Sequence, residues 1–176
     1  MSNDYFISDL HLGHKNVIKF KDGYRAKAMG VSTIEEHDEM IMDLWSERAR
    51  KNDTVYVLGD LGKNFDLLKG LPGKKILHLG NHDNKTAREY LDVFDDIVGP
   101  IQFNGHWLAH FPPIKGELFG KDVIHGHTHS TGVEDPRYIN VCVEMTGGKL
   151  VPYQDIYSGR YTTHDRVNKP FGSSQT

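Results

Sequence analysis

The chain has 176 residues and a formal net charge of −3, with 38% hydrophobic and 26% charged residues. This length suits one compact domain, and this composition excludes a wholly disordered chain and argues against a strongly basic nucleic-acid-binding protein. A single cysteine excludes an internal disulfide. The N-terminus lacks the pattern of a signal peptide and no segment has the apolar length of a membrane span, so we expect a cytoplasmic protein.

Three short apolar runs in the first half each end at a polar turn, as is typical of buried strands. They occupy residues 5–7, 55–58 and 76–79. Between the first two, Ser32-Thr33 followed by Glu35-Glu36 forms a capping-box pattern, which predicts a helix that continues to about Lys51. A shorter helix is predicted over 85–91. This alternation of strands and helices predicts an α/β unit with parallel strands.

The second half is richer in short strand patterns separated by turn residues. Candidate strands lie at 97–103, 106–110, 122–125, 138–143 and 149–153. They predict a second sheet that packs on the first. We expect a single domain over 1–157 and a polar, loosely ordered C-terminal tail over 158–176.

Side chains able to bind a metal ion follow several of these predicted strands. Because ligands of open α/β sheets bind beyond the carboxyl ends of the strands, these side chains are expected to share one cleft. Their mixture of imidazole, carboxylate and carboxamide suits Mn, Fe, Zn, Co or Ni better than Ca or Mg. The candidates are Asp9, His11, Asp60, Asn81, His110, His127 and His129. His106 is an alternative to His110.

The same residues belong to short motifs that follow one another in a fixed order. The motifs are Asp9-x-His11, Gly59-Asp60, Gly80-Asn81-His82-Asp83, His110 and Gly126-His127-x-His129. This order resembles the calcineurin-like metallophosphoesterase superfamily, and the wider pattern over about residues 4–157 is similar to its small single-domain bacterial and phage members. The resemblance implies an α/β fold with two sheets in an αββα sandwich.

The resemblance also implies a site for two divalent metal ions, with Mn²⁺ preferred over Fe, Zn, Ni and Co. The first ion would be held by Asp9, His11 and His129. The second would be held by Asn81, His110 and His127, and Asp60 would bridge the two. His82 is the implied catalytic histidine, with Asp83 orienting its ring, and a hydroxide that bridges the ions would attack phosphorus.

Simple electrostatics favours an anionic substrate at such a site. Two divalent ions keep a net positive charge beside Asp9 and Asp60, and they acidify bound water. A histidine such as His82 can protonate a leaving alkoxide near neutral pH. These properties predict hydrolysis of a phosphate ester.

A basic segment over 15–27 lies close to the first motif in the sequence. It is either a solvated loop or a rim that steers anionic substrates towards the cleft. Arg25 is the expected phosphate contact, since a guanidinium group binds phosphate oxygens with two donors. His14 is a second candidate for contact with the substrate.

The predicted function is hydrolysis of a phosphodiester or phosphomonoester of a small substrate such as a nucleotide or cyclic nucleotide. A nuclease or a protein phosphatase of the same superfamily is an alternative, and so is a binding scaffold that has this fold without catalysis. Nucleic acid is not favoured as the partner, because the only basic segment is short. No membrane partner is expected, and the sequence does not indicate an oligomeric state.

Overall fold

The computed structural model describes residues 2–163, which form two β-sheets and five α-helices. The strands are β1 Asp4–Ile7, β2 Thr54–Val57, β3 Lys74–His78, β4 Asp96–Val98, β5 Ile101–Phe103, β6 His106–Ala109, β7 Asp122–His125, β8 Tyr138–Asn140 and β9 Val151–Pro152. The helices are α1 Phe20–Met29, α2 Ile34–Arg48, α3 Ala87–Leu91, α4 Val143–Thr146 and α5 Tyr153–Tyr157. Short 3-10 helices lie at Lys15–Ile18, Phe65–Gly70 and Lys115–Leu118.

The two sheets are mixed and pack as a sandwich. The first has the order β4-β3-β2-β1-β9, in which β9 alone is antiparallel to its neighbour. The second has the order β5-β6-β7-β8, in which β5 is antiparallel to β6 and the other pairs are parallel. The protein therefore has the α/β two-sheet architecture that the strand patterns predict.

Alternate residues of the central strands supply two separate parts of the core. Phe6 on β1 packs with Leu108 and Ile124 of the second sheet, between the two sheets. Its neighbour Ile7 points to the opposite face, into the cluster that contains Trp45 of α2. On the far side of the second sheet, the cover includes the 3-10 helix Lys115–Leu118, whose Leu118 packs on β7 and β8.

The helix predicted to follow Ser32-Thr33 is confirmed, and Thr33 is its N-cap residue. The Thr33 hydroxyl accepts a hydrogen bond from Glu36 N at 3.2 Å, and the Glu36 carboxylate accepts one from Thr33 N at 3.3 Å, so both halves of the capping box form. The helix ends at Arg48 rather than Lys51, because Ala49 takes an extended conformation. No helix within residues 2–163 combines the length and apolar character required to cross a lipid bilayer.

Several predicted strand boundaries are wrong. The single strand predicted over 97–103 is divided at Gly99-Pro100 into β4, which joins the first sheet, and β5, which joins the second. The strand predicted over 149–153 is the short β9, which pairs with β1 in the first sheet. The run over 138–143 leaves the sheet after Asn140 and then enters α4. Local apolar pattern does not reveal which sheet a strand will join, since both sheets bury similar residues.

The first residues of the predicted tail are folded against β8. The Tyr161 hydroxyl donates a hydrogen bond to Asn140 O at 2.7 Å, and the Thr163 hydroxyl donates one to Tyr138 O at 3.0 Å. Both side chains are buried, and they cover polar backbone at the edge strand of the second sheet. The prediction of a loose tail is therefore wrong for 158–163, and residues 164–176 lie outside the described residues.

Candidate metal centre

All seven candidate metal ligands lie on loops just beyond the carboxyl ends of strands. These loops follow β1, β2, β3, β6 and β7, which places the side chains at the same end of both sheets. Nine non-glycine residues in the described part of the chain have a positive φ, and five of them are candidate ligands. They are Asp9 at 59°, His11 at 47°, Asp60 at 57°, His127 at 69° and His129 at 52°. Such left-handed backbone costs about 1–2 kcal/mol per residue, so its concentration here is typical of a functional site.

Glycines let these loops approach one another closely. A Cβ atom at Gly80 would overlap the Asp60 carboxylate, and one at Gly126 would overlap Ser8 and Asp9. Gly59 has a φ of +90° and would meet the His110 ring at 2.7 Å. The glycines of the motifs are therefore required by the packing of the candidate ligands.

The first group of ligands is formed by Asp9, His11 and His129. Asp9 Oδ2 accepts three hydrogen bonds, from Ser8 Oγ at 2.7 Å, His127 N at 2.8 Å and Cys142 Sγ at 3.1 Å. Asp9 Oδ1 is buried without a hydrogen-bond partner, 3.6 Å from His129 Nε2 and 3.9 Å from His11 Nε2. His11 Nε2 is likewise buried and unpartnered. Buried polar atoms are normally paired, and these atoms are close enough to hold one cation among them.

The second group is formed by Asn81, His110 and His127. His110 Nδ1 lies 2.7 Å from the carbonyl oxygen of Leu58, which can only accept, so this nitrogen carries the hydrogen. In a neutral ring, Nε2 then offers a lone pair, yet it lies 3.0 Å from Asn81 Oδ1, which is another acceptor. His127 Nδ1 lies at the same distance from this oxygen. Acceptor atoms that lie this close together, with no hydrogen between them, are typical of a metal-binding site.

Asp60 lies between the two groups. Its Oδ2 is 3.6 Å from His11 Nε2, and its Oδ1 is 3.6 Å from His110 Nε2. Burial raises the pKa of Asp60 above its ordinary value, whereas a nearby cation would favour the charged carboxylate. The donor set around Asp60 therefore fits a site for divalent metal ions.

Comparison with known proteins places this chain in a family. The gene 66 protein of Mycobacterium phage D29 is 30% identical over 198 residues, which cover 89% of this chain and 94% of that protein. The chain belongs to the family of this phage protein. A second member is the uncharacterized protein MJ1445 of Methanocaldococcus jannaschii, 31% identical over 150 residues, or 80% of this chain and 77% of that protein. No family model matches the chain.

A solved structure shares the fold of this gene 66 family member. A protein of unknown function from Aquifex aeolicus, AQ665, superposes with a TM-score of 0.64 and 27% identity over 90% of this chain and 99% of that chain. The nuclease MPE of Pseudomonas putida has a TM-score of 0.46 and 23% identity over 72% of this chain and 60% of that chain. The second likeness is too distant to bear on function.

A buried ion pair between Arg25 and Glu144 holds His129 of the first group in place. Sequence patterns do not reveal this pair. Glu144 Oε1 lies 2.9 Å from His129 Nδ1 and 2.7 Å from the Arg25 guanidinium, and both charged side chains are almost fully buried. Although burial alone would raise it, Arg25 and His129 hold the pKa of Glu144 at about 2. The hydrogen bond to Glu144 in turn raises the pKa of His129 despite its burial. Glu144 thus directs His129 Nε2 towards Asp9.

The predicted contact between Arg25 and phosphate is wrong. The residue is 1% exposed, its Nε and Nη2 donate to Glu144, and its Nη1 donates to Leu10 O at 3.0 Å. The basic segment over 15–27 is therefore not solvated along its whole length, and not all of it can form a rim. Helix α1 directs the Arg25 side chain into the core. A charge count along the sequence does not distinguish a buried arginine from an exposed one.

The role predicted for Asp83 is also wrong. Its carboxylate accepts hydrogen bonds from the backbone N–H groups of Gly80, Asp60 and Leu61 at 2.8 to 2.9 Å, and so holds the Asp60 loop. His82 instead has its Nε2 4.0 Å from Asp60 Oδ2, with 64% of its side chain exposed. The imidazole of His82 therefore faces the open side of the centre.

His14 lies close to the candidate metal centre, whereas His106 lies away from it. The exposed His14 ring lies 6.0 Å from the His11 ring, beside the first group. Its contact with a substrate stays a prediction. His106 begins β6, at the end opposite His110, and its Nε2 is 4.0 Å from Asp122. The structure therefore excludes His106 as the alternative ligand.

Proposed function

We propose that the protein is a dinuclear metal-dependent phosphoesterase that hydrolyses a phosphodiester or phosphomonoester of a small substrate such as a nucleotide or cyclic nucleotide. The observation that carries this proposal is the convergence of acceptor atoms on both sides of Asp60. Asp9 Oδ1 and His11 Nε2 are unpartnered on one side, and His110 Nε2 faces Asn81 Oδ1 on the other. The ordered motifs that resemble the calcineurin-like metallophosphoesterases support the same reaction.

The ligand chemistry favours Mn²⁺, with Fe, Zn, Ni and Co as alternatives, because both groups mix imidazole nitrogen with a carboxylate or carboxamide oxygen. When bound, two such ions supply positive charge for phosphate oxygens and lower the pKa of water towards neutrality. The groups that supply the ligands contain only two carboxylates, Asp9 and Asp60. A phosphate ester therefore meets a net positive centre in a protein whose overall charge is −3.

Three residues outside the candidate ligand set, Asp83, His82 and Glu144, have separate roles in this proposal. Asp83 fixes the backbone of the Asp60 loop through three N–H groups, so the carboxylate shared by both groups is held in place. His82 lies at the exposed side of Asp60, where an imidazole can protonate a leaving oxygen. Glu144 keeps the hydrogen of His129 on Nδ1, which leaves Nε2 free for a metal ion.

Turnover of bis-p-nitrophenyl phosphate, measured in EDTA and then with each candidate metal supplied, tests this proposal. We expect turnover only with metal. The His82→Ala variant should keep two metal ions per chain, measured by elemental analysis, while kcat falls by about 10²–10⁴. His106→Ala is the matched control, since this histidine lies away from the centre, and its turnover should be unchanged. Absence of turnover with every metal would favour the non-catalytic scaffold.

A further inference from the structure

A groove of about 700 Å³ opens beside the first group of ligands. Its lining includes His11, His82 and His129 from the centre, together with Val17, Phe20 and Tyr90. Lys63 and Lys85 belong to the same lining, and Lys85 Nζ lies 3.8 Å from the Glu89 carboxylate. This volume is typical of a site for a small ligand, and the combination of apolar and cationic side chains suits an anion that carries an apolar part.

Phe20 is the exposed aromatic residue of this groove. Its side chain remains 52% exposed, and its ring centroid lies 5.8 Å from that of His129. Lys21 holds the ring on one side, with Nζ 5.8 Å from the ring centroid and 2.8 Å from Thr131 Oγ1. The aromatic ring is thus presented to solvent next to a candidate metal ligand.

Backbone geometry explains why Phe20 does not fold into the core. Lys21, Asp22 and Gly23 directly after it have φ values of 47°, 56° and 71°. Two of these residues are not glycine, so the left-handed turn costs free energy that the surrounding structure must offset. The turn begins α1 in a direction that buries Arg25 and leaves Phe20 outside.

A second exposed aromatic residue borders the other group of ligands. The ring of Phe111 is 50% exposed and lies 4.5 Å from that of His127, but Phe111 does not line the groove. The groove, in contrast, combines Phe20 with Lys63, Lys85 and the exposed His82. The two phenylalanines therefore differ in surroundings although they are almost equally exposed.

We infer that this groove binds the planar aromatic part of the substrate, a nucleobase, by stacking on Phe20; this rests on the proposed phosphoesterase function. The phosphate would lie at the centre, and Lys63 and Lys85 would add positive charge around it. Stacking on an aromatic side chain is tolerant of base identity, since every base has a π-face. Phe20 is accordingly the residue that distinguishes nucleotides from sugar phosphates.

The test uses phosphonate analogues of AMP and of ribose 5-phosphate, in which a methylene group replaces the bridging oxygen and prevents hydrolysis. Their binding to the Mn²⁺-loaded protein is measured by calorimetry. We expect the AMP analogue to bind about tenfold more tightly, which is the effect of one stacking contact. Phe20→Ala and Phe20→Leu should abolish this difference, whereas Phe20→Tyr and the matched control Phe111→Ala should retain it.

The outcomes separate the groove from the proposed reaction. Equal affinities in the unmodified protein, no binding of either analogue, or an equal loss of both in Phe20→Leu would overturn the stacking role. Turnover of the chromogenic ester without a preference for the AMP analogue would support the phosphoesterase function and contradict the nucleobase site. In a further outcome, the protein prefers the AMP analogue, loses this preference in Phe20→Leu, and turns over no ester with any metal. This result would support the nucleobase site and contradict the proposed reaction.

Discussion

The two halves of the metal centre are supported by different kinds of structure. Behind the first half, His129 is braced by Glu144, which is itself ion-paired with the buried Arg25. In the second half, His110 is braced by the backbone carbonyl of Leu58, and Asn81 is exposed. A ligand held by a buried charged network is oriented before the ion arrives, whereas exposed ligands can rearrange. We therefore expect the first half to bind its ion more tightly.

Asp60→Asn should remove the difference between the halves by weakening both ions at once, because this carboxylate faces both groups. The affinity for each ion and the turnover should each fall by more than about 100-fold. Loss of a residue that only orients a ligand costs up to about 100-fold, and Asp60 would itself be a ligand. Metal content after dialysis and calorimetric titration with Mn²⁺ measure the effect. Loss of only one ion would contradict the shared position of Asp60.

Glu144→Gln should weaken the first ion alone, by about 10–100-fold, since the glutamine no longer increases the basicity of His129. Arg25 would then remain buried without its charge partner, which lowers the free energy of unfolding by about 3 kcal/mol. Two-site Mn²⁺ titration and urea unfolding measure the two effects separately.

Two controls belong to that experiment. Glu89→Gln removes an exposed carboxylate of the α3 cap and should leave metal affinity unchanged. Combining Glu144→Gln with Arg25→Met should recover stability without recovering the affinity of the first ion. If affinity returned together with stability, the role of Glu144 would be structural only.

Asn81→Ala should weaken the second ion by about tenfold and leave the first unchanged, because its oxygen faces only His110 and His127. Competition between Mn²⁺ and a fluorescent chelator gives both affinities. An equal effect on both ions would show that the halves are not independent.

The smallest expected effect concerns pH in the metal-free protein. Burial and the neighbouring Arg25 lower the pKa of His11 to about 3, from about 6.5 in the unfolded chain. Below pH 6.5 the unfolded chain therefore binds a proton that the folded chain excludes, and the free energy of unfolding falls by up to about 1.4 kcal/mol per pH unit. His11→Gln should reduce this slope in urea unfolding with EDTA between pH 7 and pH 5. An unchanged slope would contradict the burial effect.

Features that depend on neighbouring residues are recognisable without a structure. The capping box after Ser32-Thr33 and the candidate ligand motifs each involve residues a few positions apart. The partnership of Arg25 with Glu144 joins residues 119 positions apart, and neither has a local pattern that predicts it. The same limit applies to Asp83, which occupies the predicted motif but binds backbone N–H groups.

The order of residues along the chain is enough to predict which residue types follow each strand, and hence seven candidate ligands at one edge of an α/β domain. Which of their atoms remain unpaired, the burial of Arg25 and the exposure of Phe20 are visible only in the folded protein. Strand and helix patterns arise from neighbouring residues. Hydrogen-bond satisfaction and burial, in contrast, depend on groups that meet only when the chain has folded.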